Sequence, residues 1–253
     1  MAFIAGIDSG STMCKAVLFK NGRILDFHME KTGWNPAISA QSALDVLFAA
    51  NRLERDDVRV VATGYGRDAI PFADATYTEI SCHALGAAFL SPDIGGVIDI
   101  GGQDSKVIRL ENGKPVDFLM NDKCAAGTGR FLTMACDALG IEPDEIDDFT
   151  HPTQACHITS MCTVFAESEI ISSLAAQIDR GKILAGVLQS IAQRAQQMTA
   201  RIGFDGMFPL LMTGGLARSA MLVSAIAKAT GFNVKTDPNA QFAGAIGACI
   251  KEI

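Results

Sequence analysis

The sequence predicts an α/β fold made of two duplicated lobes that face each other across a cleft. A short motif, Asp-x-Gly followed by a small residue and later a lysine, occurs at Asp8–Lys15 and again at Asp99–Lys106. Each copy ends one predicted strand and opens a three-strand meander, and helices follow both meanders. A repeated unit of this kind predicts one lobe over residues 1–95 and a second over 96–253. The closing helix of the chain can pack back on the first lobe.

In the first lobe, apolar stretches alternate with turn residues. Strands are predicted over 3–8, 14–19, 23–28 and 58–63. Asn21-Gly22 is a hairpin turn signal between the second and third of them. Pro36 opens a helical pattern, since proline is favoured in the first helical turn. Helices are predicted over 36–51 and 81–90.

The second lobe repeats the meander and adds longer helices. Strands are predicted over 97–100, 105–110, 115–120, 208–212 and 232–235. Helices are predicted over 129–139, 164–178, 182–202, 217–230 and from 240 onward. The long helix has Leu184, Leu188, Ile191 and Ala195 on one face, which is the spacing of an amphipathic helix.

Composition excludes several classes of protein. The chain has 253 residues, 49% of them hydrophobic, and a net charge of −7, whereas nucleic-acid binding needs clustered cations. No apolar run reaches the ~18 residues of a membrane span. Residues 1–7 lack the basic flank of a signal peptide, so we expect a cytoplasmic protein. Seven cysteines without a CxxC pair are unlike a disulfide framework.

Glycine turns after strands predict a phosphate site. Gly10 keeps side-chain atoms away from backbone N–H groups that can point at phosphate oxygens. Ser11 and Thr12 add hydroxyl donors, and Lys15 adds a positive charge. The turn Gly101-Gly102-Gln103 repeats this arrangement in the second lobe.

Two aspartates end the duplicated strands. Asp8 and Asp99 are expected at facing strand ends, where they can orient Mg²⁺ through its waters and position a hydrolytic water.

A third turn, Gly214-Gly215, lets a base or ribose approach the backbone closely. No Walker A or GxGxxG sequence competes with this interpretation. The order of the three turns resembles the actin, hexokinase and heat-shock chaperone ATPase superfamily over essentially the whole chain.

Two segments that contain cysteine are not explained by ATP binding and hydrolysis alone. Cys124 and Cys162 each precede a predicted helix, with Thr128 and Thr163 as candidate N-caps. Helix N-termini carry unsatisfied N–H groups that favour thiolates and anionic clusters. A [4Fe-4S] cluster usually takes four cysteines, and a two-fold dimer would supply this pair twice.

Other interpretations of the cysteines stay open. Both can be buried residues at helix starts, as Cys14, Cys136, Cys156 and Cys249 are expected to be packing residues. A zinc site of Cys156, His157 and Cys162 is a further alternative, although its spacing matches no usual zinc pattern. Cys82 and His83 are interpreted as a packed thiol and a hydrogen-bonded imidazole close to the cleft.

Several strings together resemble a single family. They are Ala62–Arg67, Ser81–Ala84, Asp99–Asp104, Asn121–Phe131, Cys162–Glu169 and Gln241–Gly247. These strings resemble the activator ATPases of 2-hydroxyacyl-CoA dehydratases, called archerases, which are related to the ATPase subunits of benzoyl-CoA reductase. The resemblance extends from Asp8 to the C-terminal segment.

The resemblance implies an oxygen-sensitive homodimer with one [4Fe-4S] cluster held by the positions matching Cys124 and Cys162, and MgATP in each subunit. It implies ATP-driven, low-potential electron transfer to a 2-hydroxyacyl-CoA dehydratase or a related cluster-containing acceptor, with ferredoxin or flavodoxin as donor. The expected catalytic residues are Asp8, Asp99 and Gln103. The expected nucleotide contacts are Gly10, Ser11, Thr12, Met13, Cys14, Lys15, Gly101, Gly102, Asp104, Gly214, Gly215 and Gln241. A small-molecule kinase of the same fold and an iron-free ATP switch remain the rivals.

Overall fold

A computed structural model describes residues 3–150, 154–158 and 162–253. Its strands are β1 Phe3–Ser9, β2 Met13–Lys20, β3 Arg23–Lys31, β4 Val58–Thr63, β5 Ala75–Thr76, β6 Gly96–Ile100, β7 Ser105–Glu111, β8 Lys114–Asn121, β9 Leu210–Thr213 and β10 Val234–Lys235. Its helices are α1 Pro36–Asn51, α2 Glu79–Leu90, α3 Gly129–Leu139, α4 Ile146–Phe149, α5 Thr163–Ala175, α6 Arg180–Ile202, α7 Ala220–Thr230 and α8 Ala243–Ile250.

The strands form two five-stranded mixed sheets with the same topology. The first has the order β3-β2-β1-β4-β5, and the second, read from its other edge, has the order β8-β7-β6-β9-β10. In both sheets an antiparallel meander is extended by a parallel strand on the far side of its first strand. The predicted duplication and the two-lobed α/β fold are therefore confirmed.

The duplication extends to the register of single residues. Asp8 on β1 pairs with Lys15 on β2 and with Thr63 on β4. Asp99 on β6 pairs in the same way with Lys106 on β7 and Thr213 on β9. The two copies of the motif thus occupy equivalent positions at the ends of the two central strands.

Two helices connect the sheets. α8 packs against α2 and against β1, β2 and β4 of the first sheet, while α2 contacts β6, β7 and β8 of the second. Glycines allow the close approach, because a Cβ on Gly86 would overlap the carbonyl oxygen of Ala243 and one on Gly247 would overlap that of Cys82. The backbones of α2 and α8 therefore touch directly where the lobes meet.

We expect Gly86→Ala to lower the free energy of unfolding by about 1–3 kcal/mol, since overpacking a tight contact forces the backbone to shift. Gly215→Ala is the matched control, because no atom lies within 4 Å of its added Cβ. Chemical denaturation would measure both. Equal stability of the two variants would show that the α2–α8 crossing tolerates separation.

Several predicted boundaries were wrong by a few residues. α2 begins at Glu79, and α5 covers Thr163–Ala175. β9 begins at Leu210, because Pro209 has no N–H to donate to a ladder. The helix predicted over 217–230 is divided into a 3-10 turn at Gly215–Arg218 and α7, whose N-cap Ser219 accepts a hydrogen bond from the Leu222 N–H. The short elements β5 and α4 were not predicted from the sequence.

The second lobe contains the larger core. α6 crosses its sheet and buries Leu184, Leu188 and Ile191, which confirms the face predicted for it. Asp179 caps its start by accepting a hydrogen bond from the Lys182 N–H. None of the helices in the described part of the chain combines the length and apolar character needed to cross a membrane.

Candidate functional site

The two motif aspartates lie on either side of one histidine. Asp8 and Asp99 are each 2% exposed, and His83 on α2 is equally buried between them. His83 Nε2 lies 3.8 Å from Asp8 Oδ2, and His83 Nδ1 lies 3.4 Å from Asp99 Oδ1. The two strand ends thus face each other as expected from the sequence, and the imidazole of His83, from a connecting helix, lies between them.

The two motif lysines have different surroundings. Lys15 is partly exposed and has one carboxylate near it, Asp8, at 3.5 Å. Lys106 is 1% exposed, and its Nζ lies 2.6 Å from Asp104, 2.8 Å from Glu79 and 3.3 Å from Asp99. Lys15 is therefore available to an added phosphate, whereas Lys106 is already neutralised within the protein.

Electrostatics in this cluster favours the ionised forms of Asp99 and Lys106. Burial tends to raise the pKa of Asp99, but His83, Lys106 and Lys15 outweigh it, and the pKa lies well below its usual value. Burial tends to lower the pKa of Lys106, but the three surrounding carboxylates raise it above its usual value. Asp99 also accepts a hydrogen bond from the Thr213 hydroxyl at 2.8 Å.

The glycine turns meet at the same edge. Gly10 N–H donates to the carbonyl of Met13 at 3.1 Å, and Gly101 N–H donates to that of Asp104 at 2.9 Å, so the turns are equivalent. A Cβ on Gly102 would overlap the side chain of Thr12, which brings the two turns into contact across the lobes. The structure therefore brings together the two glycine turns that were predicted to bind phosphate.

The third turn adjoins the second. Gly214 has a φ of +86°, a conformation that favours glycine, and a Cβ there would overlap the carbonyl oxygen of Ile100 and lie 3.1 Å from Asp99 Oδ1. Gly215 faces open space. This leaves room beside the aspartates for a flat group.

The remaining predicted contacts have varied surroundings. Gln103 is exposed next to the second turn, and Gln241 is half-buried in the short turn before α8. Gly244, one turn later, lies against Asp8 and His83. The Cys14 side chain belongs to the first core, where burial raises its pKa to about 12. Any contribution of Cys14 to a nucleotide site would thus come from its backbone.

The second phosphate turn is hydrogen-bonded to the start of α3. Gly129 N–H donates to the carbonyl of Gly101 at 2.8 Å, and Arg130 N–H donates to that of Gly102 at 2.8 Å. Gly129 is the first residue of α3, and Cys124 lies in the loop that leads to it. A displacement of the phosphate turn would consequently reach the cysteine loop through two hydrogen bonds.

Cys124 and Cys162 are more exposed than four of the other cysteines, while Cys156 is half-buried like Cys124. Cys162 is exposed and Cys124 is half-buried, so the interpretation of both as buried residues is wrong. Cys14, Cys82, Cys136 and Cys249 are buried, and burial raises the pKa of each. Exposed thiols at helix starts fit cluster ligands better than buried ones do.

The helix starts beside these cysteines differ slightly from expectation. Thr128 is the N-cap of α3, as predicted, but its hydroxyl donates to the carbonyl of Ala125 instead of capping the helix. Cys162 itself is the N-cap of α5, so the prediction of Thr163 was wrong. Ser160 and Met161 of this segment lie outside the described residues.

A divalent cation could lie near Asp8. One ligand atom each of Asp8, Glu79 and His83 lies within 4.8 Å of the others. Asp8 Oδ1 is buried and has no hydrogen-bond partner among the described residues. Mg²⁺ prefers oxygen ligands, so the carboxylates fit it better than the imidazole does. Lys106, at 2.8 Å from Glu79, competes with a metal for that carboxylate.

The position of His83 was only partly predicted from the sequence. This residue was interpreted as a hydrogen-bonded imidazole close to the cleft, and the structure places it between Asp8 and Asp99. Glu79, the residue one turn earlier on the same helix, was missed. The spacing of Glu79 and His83 on one helix face was the available signal.

The two lobes have the fold of the actin and hexokinase class of ATPases. The glucokinase from Streptomyces griseus shows the fold alone, with a TM-score of 0.57 and 16% identity over 98% of both chains. The chain matches the model of the BadF/BadG/BcrA/BcrD ATPase family over residues 5–250. It belongs to this family and is an ATPase.

Characterised relatives align over almost the full chain. The (R)-2-hydroxyglutaryl-CoA dehydratase activating ATPase from Acidaminococcus fermentans is 41% identical over 98% of this chain and 96% of its own. The crystal structure of that organism's component A covers 99% of this chain and 97% of its own, with a TM-score of 0.94. The Clostridium difficile activator of 2-hydroxyisocaproyl-CoA dehydratase, with bound ADPNP, is 39% identical, covers 98% and 93%, and has a TM-score of 0.93.

Proposed function

We propose that this protein is an ATP-dependent activator that delivers single electrons of low potential to a 2-hydroxyacyl-CoA dehydratase or a related reductase. The names of the relatives support the activator role. The observation that carries the coupling is the pair of hydrogen bonds between the second phosphate turn and the first two residues of α3. Nucleotide chemistry at Gly101 and Gly102 can thereby reach the segment that holds Cys124.

The residues of the cleft have separate tasks in this proposal. Lys15 and the N–H groups of the two glycine turns bind the β- and γ-phosphates of ATP. Asp8 and Asp99 orient hydrated Mg²⁺ and the attacking water, and the exposed Gln103 positions that water. His83 keeps the two aspartates at a fixed separation. Gly214, Gly215 and Gln241 receive the adenosine, with Ser11, Thr12 and Asp104 around the phosphates.

Cys124 and Cys162 would hold a [4Fe-4S] cluster, which supplies one-electron redox chemistry when bound. Both thiols are accessible and stand near helix starts, where N–H groups favour negative charge. Two ligands per chain require a second copy, so the active form is a homodimer. Val164 and Phe165 follow Cys162 and are both 66% exposed, which supports a protein contact there.

The division into residues 1–95 and 96–253 is part of the same proposal. Closure of the two lobes around ATP would change the angle at the α2–α8 crossing and shift the second phosphate turn. Because α8 lies on the first sheet although it follows the second in the chain, it would transmit this movement between the lobes.

The test compares Gly129→Pro with Gly129→Ala in the anaerobic, iron-loaded protein. Proline removes the N–H that donates to Gly101, is well tolerated at the first position of a helix, and follows Thr128, whose φ of −119° and ψ of 171° suit a residue before proline. In the wild-type protein, MgATP should change the rate at which a chelator removes iron. Both variants place a Cβ about 3.1 Å from the Gly101 carbonyl oxygen, so the alanine variant controls for this crowding while it keeps the N–H. We expect the response to be lost in the proline variant and kept in the alanine variant.

Two results would contradict the coupling. Identical chelation rates of the wild-type protein with and without MgATP or ADP–aluminium fluoride would show that nucleotide binding is not coupled to the cluster. A normal nucleotide response in Gly129→Pro would show that the hydrogen bond to Gly101 is not the connection. Iron content and ATP binding, measured on the same samples, show whether each variant is otherwise intact.

A further inference from the structure

A surface pocket of about 330 Å³ lies between the end of β8 and one face of α6. Its walls include Lys123 from the loop after β8, together with Arg194 and Arg201 from α6. Asp122 is the one acidic residue among the lining residues. The pocket is therefore cationic in a chain whose net charge is −7.

The three cations are free to bind an external anion. Within the described ranges, Lys123, Arg194 and Arg201 form no ion pair with a carboxylate. Arg201 lies in the last turn of α6, where a cation favours the helix dipole, but Arg194 is in the middle of the helix and has no such role. Guanidinium groups bind carboxylates with two parallel hydrogen bonds.

The pocket adjoins the Cys124 loop. Lys123 precedes Cys124 in the chain, so their Cα atoms are about 3.8 Å apart. Asn121, another lining residue, donates hydrogen bonds to the carbonyls of Cys124 and Ala126 at 2.9 and 3.2 Å. A Cβ on Gly127 would lie 2.7 Å from Cγ of Arg194, which places the stem of this arginine against the same loop.

We propose that this pocket docks the carboxylate-rich surface of a small acidic one-electron carrier of the ferredoxin class. The inference rests on the proposed function and adds to it the place where the electron donor binds. A carrier that returns after each turnover needs fast association and fast release. Complementary charge raises the association rate without requiring a large apolar interface. The donor would lose one electron there and this protein would gain one, with no proton transfer.

The test measures association of an acidic ferredoxin with immobilised, iron-loaded protein by surface plasmon resonance at several salt concentrations. Arg201→Glu is the main variant, because this side chain is exposed. Arg23→Glu is the matched control: it has the same charge change, is exposed, and lines a pocket of about 350 Å³ in the first lobe. We expect Arg201→Glu to lower the association rate about tenfold at low salt, with a smaller effect at high salt.

Reduction by dithionite should proceed at the wild-type rate in both variants, since this small reductant needs no docking pocket. Equal association rates for Arg201→Glu and Arg23→Glu would overturn the proposal, as would a defect that appears only in electron delivery to the acceptor. A wild-type protein without iron would overturn the proposed function and this inference together. Normal iron content with unchanged ferredoxin binding would overturn this inference alone.

Discussion

Cys124→Ala and Cys162→Ala should each abolish iron binding in anaerobically prepared protein. The wild-type dimer should contain about four irons, since a [4Fe-4S] cluster takes four cysteine ligands and each chain supplies two. Loss of one cysteine per chain removes two of the four ligands at once. Iron analysis and the visible absorption of the purified dimer would measure the loss. Both variants should still fold, because neither thiol is part of a described core cluster.

Cys156→Ala and Cys136→Ala are the controls for this prediction. Cys156 is half-buried, 3.7 Å from the hydroxyl of Ser173, and it is the cysteine that a zinc site with Cys162 would need. Cys136 is buried in the second core, and burial raises its pKa to about 11, which disfavours the thiolate that a cluster requires. Both controls should keep the full iron content.

Some outcomes would contradict the dimeric cluster. A complete cluster in a monomer of native mass would show that ligands other than a second copy complete it. Iron retained in Cys124→Ala would remove that residue from the ligand set. Iron lost in Cys156→Ala, together with bound zinc in the wild-type protein, would favour the zinc alternative.

The fold was predictable because the duplicated motif is short and its residues lie close together in the sequence. The pairs Asp8/Lys15 and Asp99/Lys106 have equal spacing, and that spacing fixes a hairpin in which aspartate faces lysine across two strands. Strand boundaries were less predictable where a single residue decides them, as Pro209 does before β9.

The loops that form the candidate site could be predicted from the sequence, but the contacts between them could not. That His83 lies between Asp8 and Asp99 depends on where α2 crosses α8, and this crossing is determined by glycine contacts between residues far apart in sequence. The hydrogen bonds from Gly129 and Arg130 to the second phosphate turn are backbone bonds, which no side-chain pattern reports. The difference in burial between Lys15 and Lys106 could not be predicted either, because the two motifs have the same residue pattern.

Asp8→Asn should reduce ATP turnover about 100-fold or more, which is the usual scale for loss of a catalytic carboxylate. The amide keeps the shape of the side chain but removes the charge that would orient Mg²⁺. Iron content should stay unchanged, since within residues 3–150, 154–158 and 162–253 Asp8 forms no ion pair or hydrogen bond with the segments that hold Cys124 and Cys162. The control is Asp117→Asn, an exposed carboxylate on β8 that should turn over ATP normally. Normal turnover in Asp8→Asn would show that the cleft assignment is wrong.

Asp99→Asn should reduce turnover as strongly and, unlike Asp8→Asn, should also lower the free energy of unfolding by roughly 3 kcal/mol. Asp99 is one of three carboxylates around the fully buried Lys106, whereas Lys15 beside Asp8 can reach solvent. Because the folded pKa of Asp99 lies below its unfolded value of about 3.9, its stabilisation is present above that pH and is lost as the pH falls further. Denaturation between pH 7 and pH 3 should therefore show a weaker acid dependence in Asp99→Asn than in Asp8→Asn. Equal stability of the two variants at pH 7 would contradict this prediction, because it would show that Asp99 contributes no more to the free energy of unfolding than Asp8 does.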